Sequence, residues 1–232
     1  MPEVQGRLGR RAQWLAVGVL ALLVLVAFST LWRHTPVGAR VDPLLTSPLV
    51  HGIPWPLRRL LSALARSWLL VGAGLLAVLL WVGALAARRI GAACTALLVP
   101  ALSLLALWRV RGGWLGLGTE DFPSGHATAG FAVLASIAVL WPRAPARGHE
   151  FGTLAETARP PGAARRRWPT VLWWASVVVV AVGNITLHAH RPGEVIAAGL
   201  LVTCVASLLL CLLSPRPVRA GRLPNRGTMG PR

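Results

Sequence analysis

Apolar residues in this chain are gathered into long runs, and polar residues collect between the runs instead of alternating within them. A helix needs about 20 apolar residues to cross the roughly 30 Å hydrocarbon core of a bilayer. By that measure the pattern predicts six membrane helices, near residues 13–32, 67–87, 90–108, 124–141, 169–187 and 193–213. A very short turn around Arg88-Arg89 joins the second to the third. Arg7, Arg10 and Arg11 precede the first run, as they would in a signal peptide. That run is too long for a secretory core and no small-residue cleavage site comes after it, so it reads as an uncleaved first helix.

The connecting segments complete the layout. Residues 33–66 form the longest one between the first two spans, and its stretch Leu57-Arg58-Arg59-Leu60-Leu61-Ser62-Ala63-Leu64 is amphipathic, which predicts a helix lying on the membrane surface. Residues 142–168 are rich in Pro, Arg, Gly and Ala and read as a mobile loop. The basic tail after Ser214 reads as disordered. The expected organisation is a cytoplasmic N-terminus over 1–12, a six-helix membrane domain over 13–213 and a cytoplasmic tail over 214–232. Arginines favour one set of connections two to one, which places the N- and C-termini inside. Tryptophans flank the span ends at Trp14, Trp32, Trp68, Trp108, Trp141 and Trp168, as interfacial belts require.

Composition strengthens this reading. The chain is 55% hydrophobic and only 13% charged, with mean hydropathy +0.61, which excludes an ordinary soluble domain. The net charge of +17 lies in loops and tails, where topology and attraction to anionic membrane lipids explain it, and no nucleic-acid partner is expected. Lysine is absent, so chemistry that requires an amine side chain is closed. Cys94, Cys204 and Cys211 fall within apolar runs and behave as small hydrophobes. No metal-ligand spacing is present, and no cofactor is expected.

Two polar motifs stand at the mouths of apolar runs, both on the predicted outer face. In Pro123-Ser124-Gly125-His126, Ser124 suits a helix N-cap. The free N–H groups after it form an anion site that Gly125 lets a phosphate approach. His126 in the first turn could protonate a leaving oxygen. A plain capping turn with an interfacial histidine would read the same way. In His190-Arg191-Pro192-Gly193-Glu194, Pro192 suits the first helical turn, and Glu194 lies within reach of His190. A carboxylate there can hold one imidazole nitrogen protonated and leave the other as a nucleophile. An ordinary charged cap is the alternative. His188 is a possible accessory.

Together the motifs resemble the membrane branch of the type 2 phosphatidic acid phosphatase/haloperoxidase superfamily. That family has six helices, Pro-Ser-Gly-His opening the fourth and Ser-Arg-x5-His-x3-Asp spanning the end of the fifth and the start of the sixth. The outer segment containing Asp42 is also similar to that of bacterial members. The resemblance implies an all-α, six-transmembrane-helix bundle in a bacterial plasma membrane, with a lipid-phosphate phosphatase at its outer face. It makes His190 the nucleophile, His126 the acid and Glu194 the partner of His190, in place of the usual aspartate. Ser124 and Gly125 would cradle the phosphate.

The chain departs from the family elsewhere. The motif Lys-x6-Arg-Pro has no counterpart after the third span, where Trp108-Arg109-Val110-Arg111-Gly112 stands. Gly183-Asn184 occupies the place of Ser-Arg. Arg109 and Arg111, with Asn184 as a neutral donor, are the candidates to replace the missing phosphate ligands. Candidate substrates are phosphatidic acid, phosphatidylglycerol phosphate and polyprenyl (di)phosphates. The competing reading is a degenerate relative that binds lipid phosphate or a protein partner without turnover. A transporter is disfavoured because span centres are almost free of charge. The sequence leaves the oligomeric state open.

Overall fold

The structure, a computed structural model, describes residues 2–113, 116–141, 168–187 and 190–213. Most of the predicted 142–168 loop, the tail from Ser214 and His188 lie outside the described residues. Those described form seven helical rods: α1 Pro2–His34, α2 Pro36–His51, α3 Trp55–Ala86, α4 Ile90–Arg111, α5 Gly125–Leu140, α6 Trp168–Ile185 and α7 Pro192–Leu213. They contain no strand. Six rods carry the six apolar runs. Among the described residues, four helices are long and apolar enough to cross a membrane: Gly9–His34, Trp55–Ala86, Ile90–Arg111 and Pro192–Leu213. The helices in 125–140 and 170–185 are apolar but shorter.

The segment between the first two runs differs from expectation. It holds a separate helix, α2, whose start is set locally: Thr35 Oγ1 accepts from the Val37 N–H at 3.2 Å and Pro36 takes the first helical position. The stretch Leu57–Leu64 is not a surface helix of its own. It is the beginning of α3, a 32-residue rod. No proline comes after Pro56 in that rod, so nothing in the sequence stops the helix at Leu64. The rod carries instead a π turn at Leu64–Trp68.

The shortest apolar rod, α5, is the hub. Its residues Ala132, Leu134, Ile137 and Leu140 meet α3, α4, α6 and α7 in three separate clusters. Small residues make this possible, because in lipid the helices gain from close packing and not from expelling water. Gly130 faces Val180 of α6, and the Ser136 hydroxyl donates to the Ala96 carbonyl of α4 at 2.8 Å. Arg89, in the turn after α3, donates to the Leu140 carbonyl at 3.0 Å and so places a cation at the C-terminus of α5. On the far side, α1 packs along α7 through Leu25, Phe28 and Leu201. The outward faces are apolar: Leu79 is 69% and Leu212 73% exposed, which suits rods solvated by lipid tails.

The crossing of α3 and α6 leaves no room for a side chain at its centre. A Cβ on Gly183 of α6 would collide with the Leu61 carbonyl and the Ala65 side chain of α3. Gly72, on the same α3 rod, has open space around it. Gly183→Ala should therefore lower stability by about 1–3 kcal/mol through overpacking, read as a lower melting temperature in detergent. Gly72→Ala should leave the melting temperature unchanged or raise it slightly.

Candidate active site

Each motif folds as its local chemistry dictates. Ser124 has extended backbone (φ −64°, ψ 125°), and its Oγ accepts from the Ala127 N–H at 3.3 Å. The Thr128 hydroxyl donates back to the Ser124 carbonyl at 2.7 Å. Ser124 is fully buried, so its hydroxyl is committed to the cap. At the other mouth, Pro192 opens α7 and Glu194 lies in its first turn. Glu194 Oε2 lies 2.8 Å from His190 Nδ1. An ionised carboxylate only accepts, so the ring donates through Nδ1, and in the neutral form of the ring it is Nε2 that carries the lone pair.

Backbone bonds join the two mouths. The Ser124 N–H donates to the Glu194 carbonyl at 3.1 Å, and the His190 N–H donates to the Asn184 carbonyl at 3.1 Å. The result is that the His126 and His190 rings lie with centroids 6.1 Å apart, tilted by 44°. At that separation both rings can touch one phosphoryl group from two sides. Near-attack contacts run about 3–3.5 Å and catalytic hydrogen bonds about 2.6–3.2 Å.

The cations divide unequally. Arg111 donates through Nε and Nη2 to the Pro123 carbonyl at 3.0 and 2.7 Å, and its guanidinium lies over Gly125. Arg109 is exposed, with its guanidinium 5.2 Å from the centroid of the Trp108 ring; of these two arginines it is Arg111 that meets the motif. Asn184 is fully buried and its Nδ2 donates to the Val180 carbonyl of its own helix at 2.7 Å. That donor is thus spent on α6, and what Asn184 gives His190 is a backbone carbonyl.

His126 stands at the exposed mouth of α5, outside the four long apolar helices. Its imidazole is held below its ordinary pKa, first by partial burial and then by the positive charges of Arg66, His190 and Arg111. Arg66 comes from the π turn of α3, and nothing in the sequence singles it out. It is one of five arginines in its segment, and a π turn leaves no mark in residue type.

Asp42 of α2 has a structural part that the sequence hints at only through its segment. It is buried, at 6% exposure. Its Oδ2 accepts from the Trp32 indole at 2.9 Å and its Oδ1 from the Gly193 N–H at 3.0 Å. A carboxylate from a distant helix therefore caps α7 beside His190 and Glu194. Gly193 is required there, because a Cβ would strike the Trp32 ring.

The family model of the PAP2 superfamily matches residues 113–217. Over this segment the protein is similar to the PAP2 superfamily. No curated protein and no solved structure matches the chain. The PAP2 segment contains both histidine motifs and begins at Gly113. Asp42, Arg66 and Arg111 all precede it, so part of what orients and charges the site comes from helices outside the match. PAP2 proteins are generally phosphatases and hydrolases, and the family together with the long apolar helices identifies an integral membrane protein.

Asp42→Ala would leave the Trp32 indole and the Gly193 N–H without their acceptor. Each buried donor so stranded costs about 1–3 kcal/mol. The melting temperature in detergent should fall clearly for Asp42→Ala and by less for Asp42→Asn, which keeps one oxygen acceptor.

Proposed function

We propose that the protein is a membrane lipid-phosphate phosphatase that works through a phosphohistidine. The observation that carries this reading is the pair of imidazoles 6.1 Å apart, one of them paired through Nδ1 to a carboxylate. His190 Nε2 attacks phosphorus, and the bond from phosphorus to the leaving oxygen breaks. His126 gives its proton to that oxygen. Water then attacks the phosphohistidine, its proton passes to His126, the phosphorus–nitrogen bond breaks and phosphate leaves. Glu194 holds the Nδ1 proton throughout. Arg111 sits where charge develops on the phosphoryl oxygens, together with the N–H groups that open α5 at Gly125.

The same proposal assigns the architecture. The apolar parts of α1 and α3 to α7 are the six spans of one membrane domain over 13–213, with both termini inside and α2 at the outer surface. Helix α5 has 16 residues, about 24 Å at 1.5 Å per residue, which falls short of a roughly 30 Å core. A site at its mouth is thus recessed below the membrane surface, where a lipid headgroup can reach it without leaving the bilayer. The substrate is a lipid phosphomonoester or diphosphate, such as phosphatidic acid or a polyprenyl diphosphate, and the basic rim draws it from anionic lipid.

Purified protein in detergent should release phosphate from short-chain phosphatidic acid in the presence of a chelator, and His190→Ala should reduce the rate to background. Equal release by both proteins would end the enzymatic reading. Vanadate binding without any release would replace it with a non-catalytic phosphate binder.

The acid step also fixes a pH dependence. His126 must carry its proton in the free enzyme, and kcat/KM reports that state. The groups that act on it are Arg66 of α3, Arg111 of α4 and His190 of the turn before α7, the last paired with Glu194. Burial and these positive charges favour the neutral ring, so kcat/KM should fall with rising pH through a value below the ordinary imidazole pKa of about 6.5. Arg111→Ala should move that limb to higher pH. It should also cost on the order of 10²–10³ in kcat/KM, the usual loss when one charge-stabilising donor is removed.

A further inference from the structure

A cation whose charge reaches His126 comes from a helix that the PAP2 match does not include. Arg66 occupies the centre of the Leu64–Trp68 π turn. A π turn adds one residue to the helix and rotates its register, and such turns recur at functional sites. Here its effect is visible on both sides. Ala65 is fully buried and packs at Gly183 of α6, while the flanking Trp68 is 73% exposed. The close crossing of Ala65 over Gly183 brings the α3 backbone against the end of α6, one residue before Asn184.

Two independent features mark Arg66 as more than a surface charge. Its Nε, like that of Arg58 on the same rod, is buried and has no hydrogen-bond partner among the described residues, although a buried guanidinium N–H calls for an acceptor; of the two, Arg66 is the one whose charge reaches His126. Its positive charge also reaches His126, where it helps to hold the imidazole below its ordinary pKa. Arg59 on the same rod differs: it is exposed, with its guanidinium 5.5 Å from the Trp55 ring centroid. The local charge is lopsided too. The charges of Arg66 and Arg111 both reach His126, while of the nearby carboxylates Glu194 is paired with His190 and Asp42 with the Trp32 indole and the Gly193 N–H. A dianionic phosphoryl group would balance that set and supply the missing acceptor.

We propose that Arg66 is a phosphate-binding residue of the site, contributed by α3 in place of the cationic ligands of the family pattern that this chain lacks. The inference rests on the phosphatase reading for its chemistry, and on burial and packing for its geometry.

The test uses the full chain in detergent with three probes: inorganic phosphate, orthovanadate and short-chain phosphatidic acid. Arg66→Met should weaken binding of both anions at least tenfold and lower kcat/KM on the order of 10²–10³. It should also move the basic limb of the pH profile to higher pH, because a positive charge facing His126 is gone. Arg66→Lys keeps the charge without the planar fork; it should recover part of the affinity and hold the limb near its wild-type position. Arg59→Met should change none of these. Wild-type anion binding and an unmoved limb in Arg66→Met would overturn the assignment while leaving the phosphatase reading in place. Arg66-dependent anion binding with no hydrolysis by the wild type would keep the assignment and overturn the phosphatase reading. If neither anion binds and nothing is hydrolysed, both fall. Should Arg66→Met not fold, Arg66→Lys decides: weaker anion binding at an unchanged melting temperature supports the role, and undiminished binding refutes it.

Discussion

The bond from the Ser124 N–H to the Glu194 carbonyl holds this molecule's site together. Each histidine stands at the start of its own helix, and helix starts are free to move relative to one another unless something ties them. Here the tie is direct, and it is reinforced from both ends. Asp42 grips the Gly193 N–H on one side, and the Asn184 carbonyl grips the His190 N–H on the other. Because backbone groups at a membrane boundary need partners in any case, the same bonds that satisfy them also set the spacing of the two rings. Preorganisation of the imidazole pair is thus a by-product of satisfying helix mouths.

The rods and the two motifs are legible in the sequence because both are local facts. A long apolar run can be read without knowing its neighbours, and Pro-Ser-Gly-His carries its own cap chemistry. Glu194 is legible for the same reason, since the spacing of four from His190 survives the turn at Pro192. Everything set by crossings between rods is not. Helix α2 escapes a sequence reading because its two internal prolines, Pro43 and Pro48, argue against a helix, whereas its Thr35 cap and its packing favour one. Leu57–Leu64 reads as a surface helix because its amphipathic face suits lipid headgroups. In the fold that stretch is the first part of α3, and the hydroxyl of Thr186, just after α6, lies 3.4 Å from the Arg58 carbonyl.

Arg109, Arg111 and Asn184 show the same boundary at the level of single side chains. A sequence can name cations and donors near a site but not where they point. Arg109 and Arg111 lie two apart on a helix, and residues two apart do not share a face. One of them therefore had to turn away, and the paired donation to the Pro123 carbonyl belongs to Arg111. Asn184 had a nearer acceptor on its own helix and took it.

The Gly183-Asn184 departure from the family pattern acquires a physical basis once the α3–α6 crossing is considered. A serine in place of Gly183 would drive its Cβ into the Leu61 carbonyl and the Ala65 side chain, so this crossing demands glycine. A long arginine in place of Asn184 would have to find room at a position with no exposed surface. Both substitutions thus suit a bundle in which α3 lies hard against the end of α6, and that same approach carries Arg66 to the histidines. The absence of an arginine at position 184 and the presence of Arg66 then belong to one feature of helix packing. The charge balance of the cavity is set by the backbone crossing, and the crossing is set by two small residues, Ala65 and Gly183, meeting where larger ones could not.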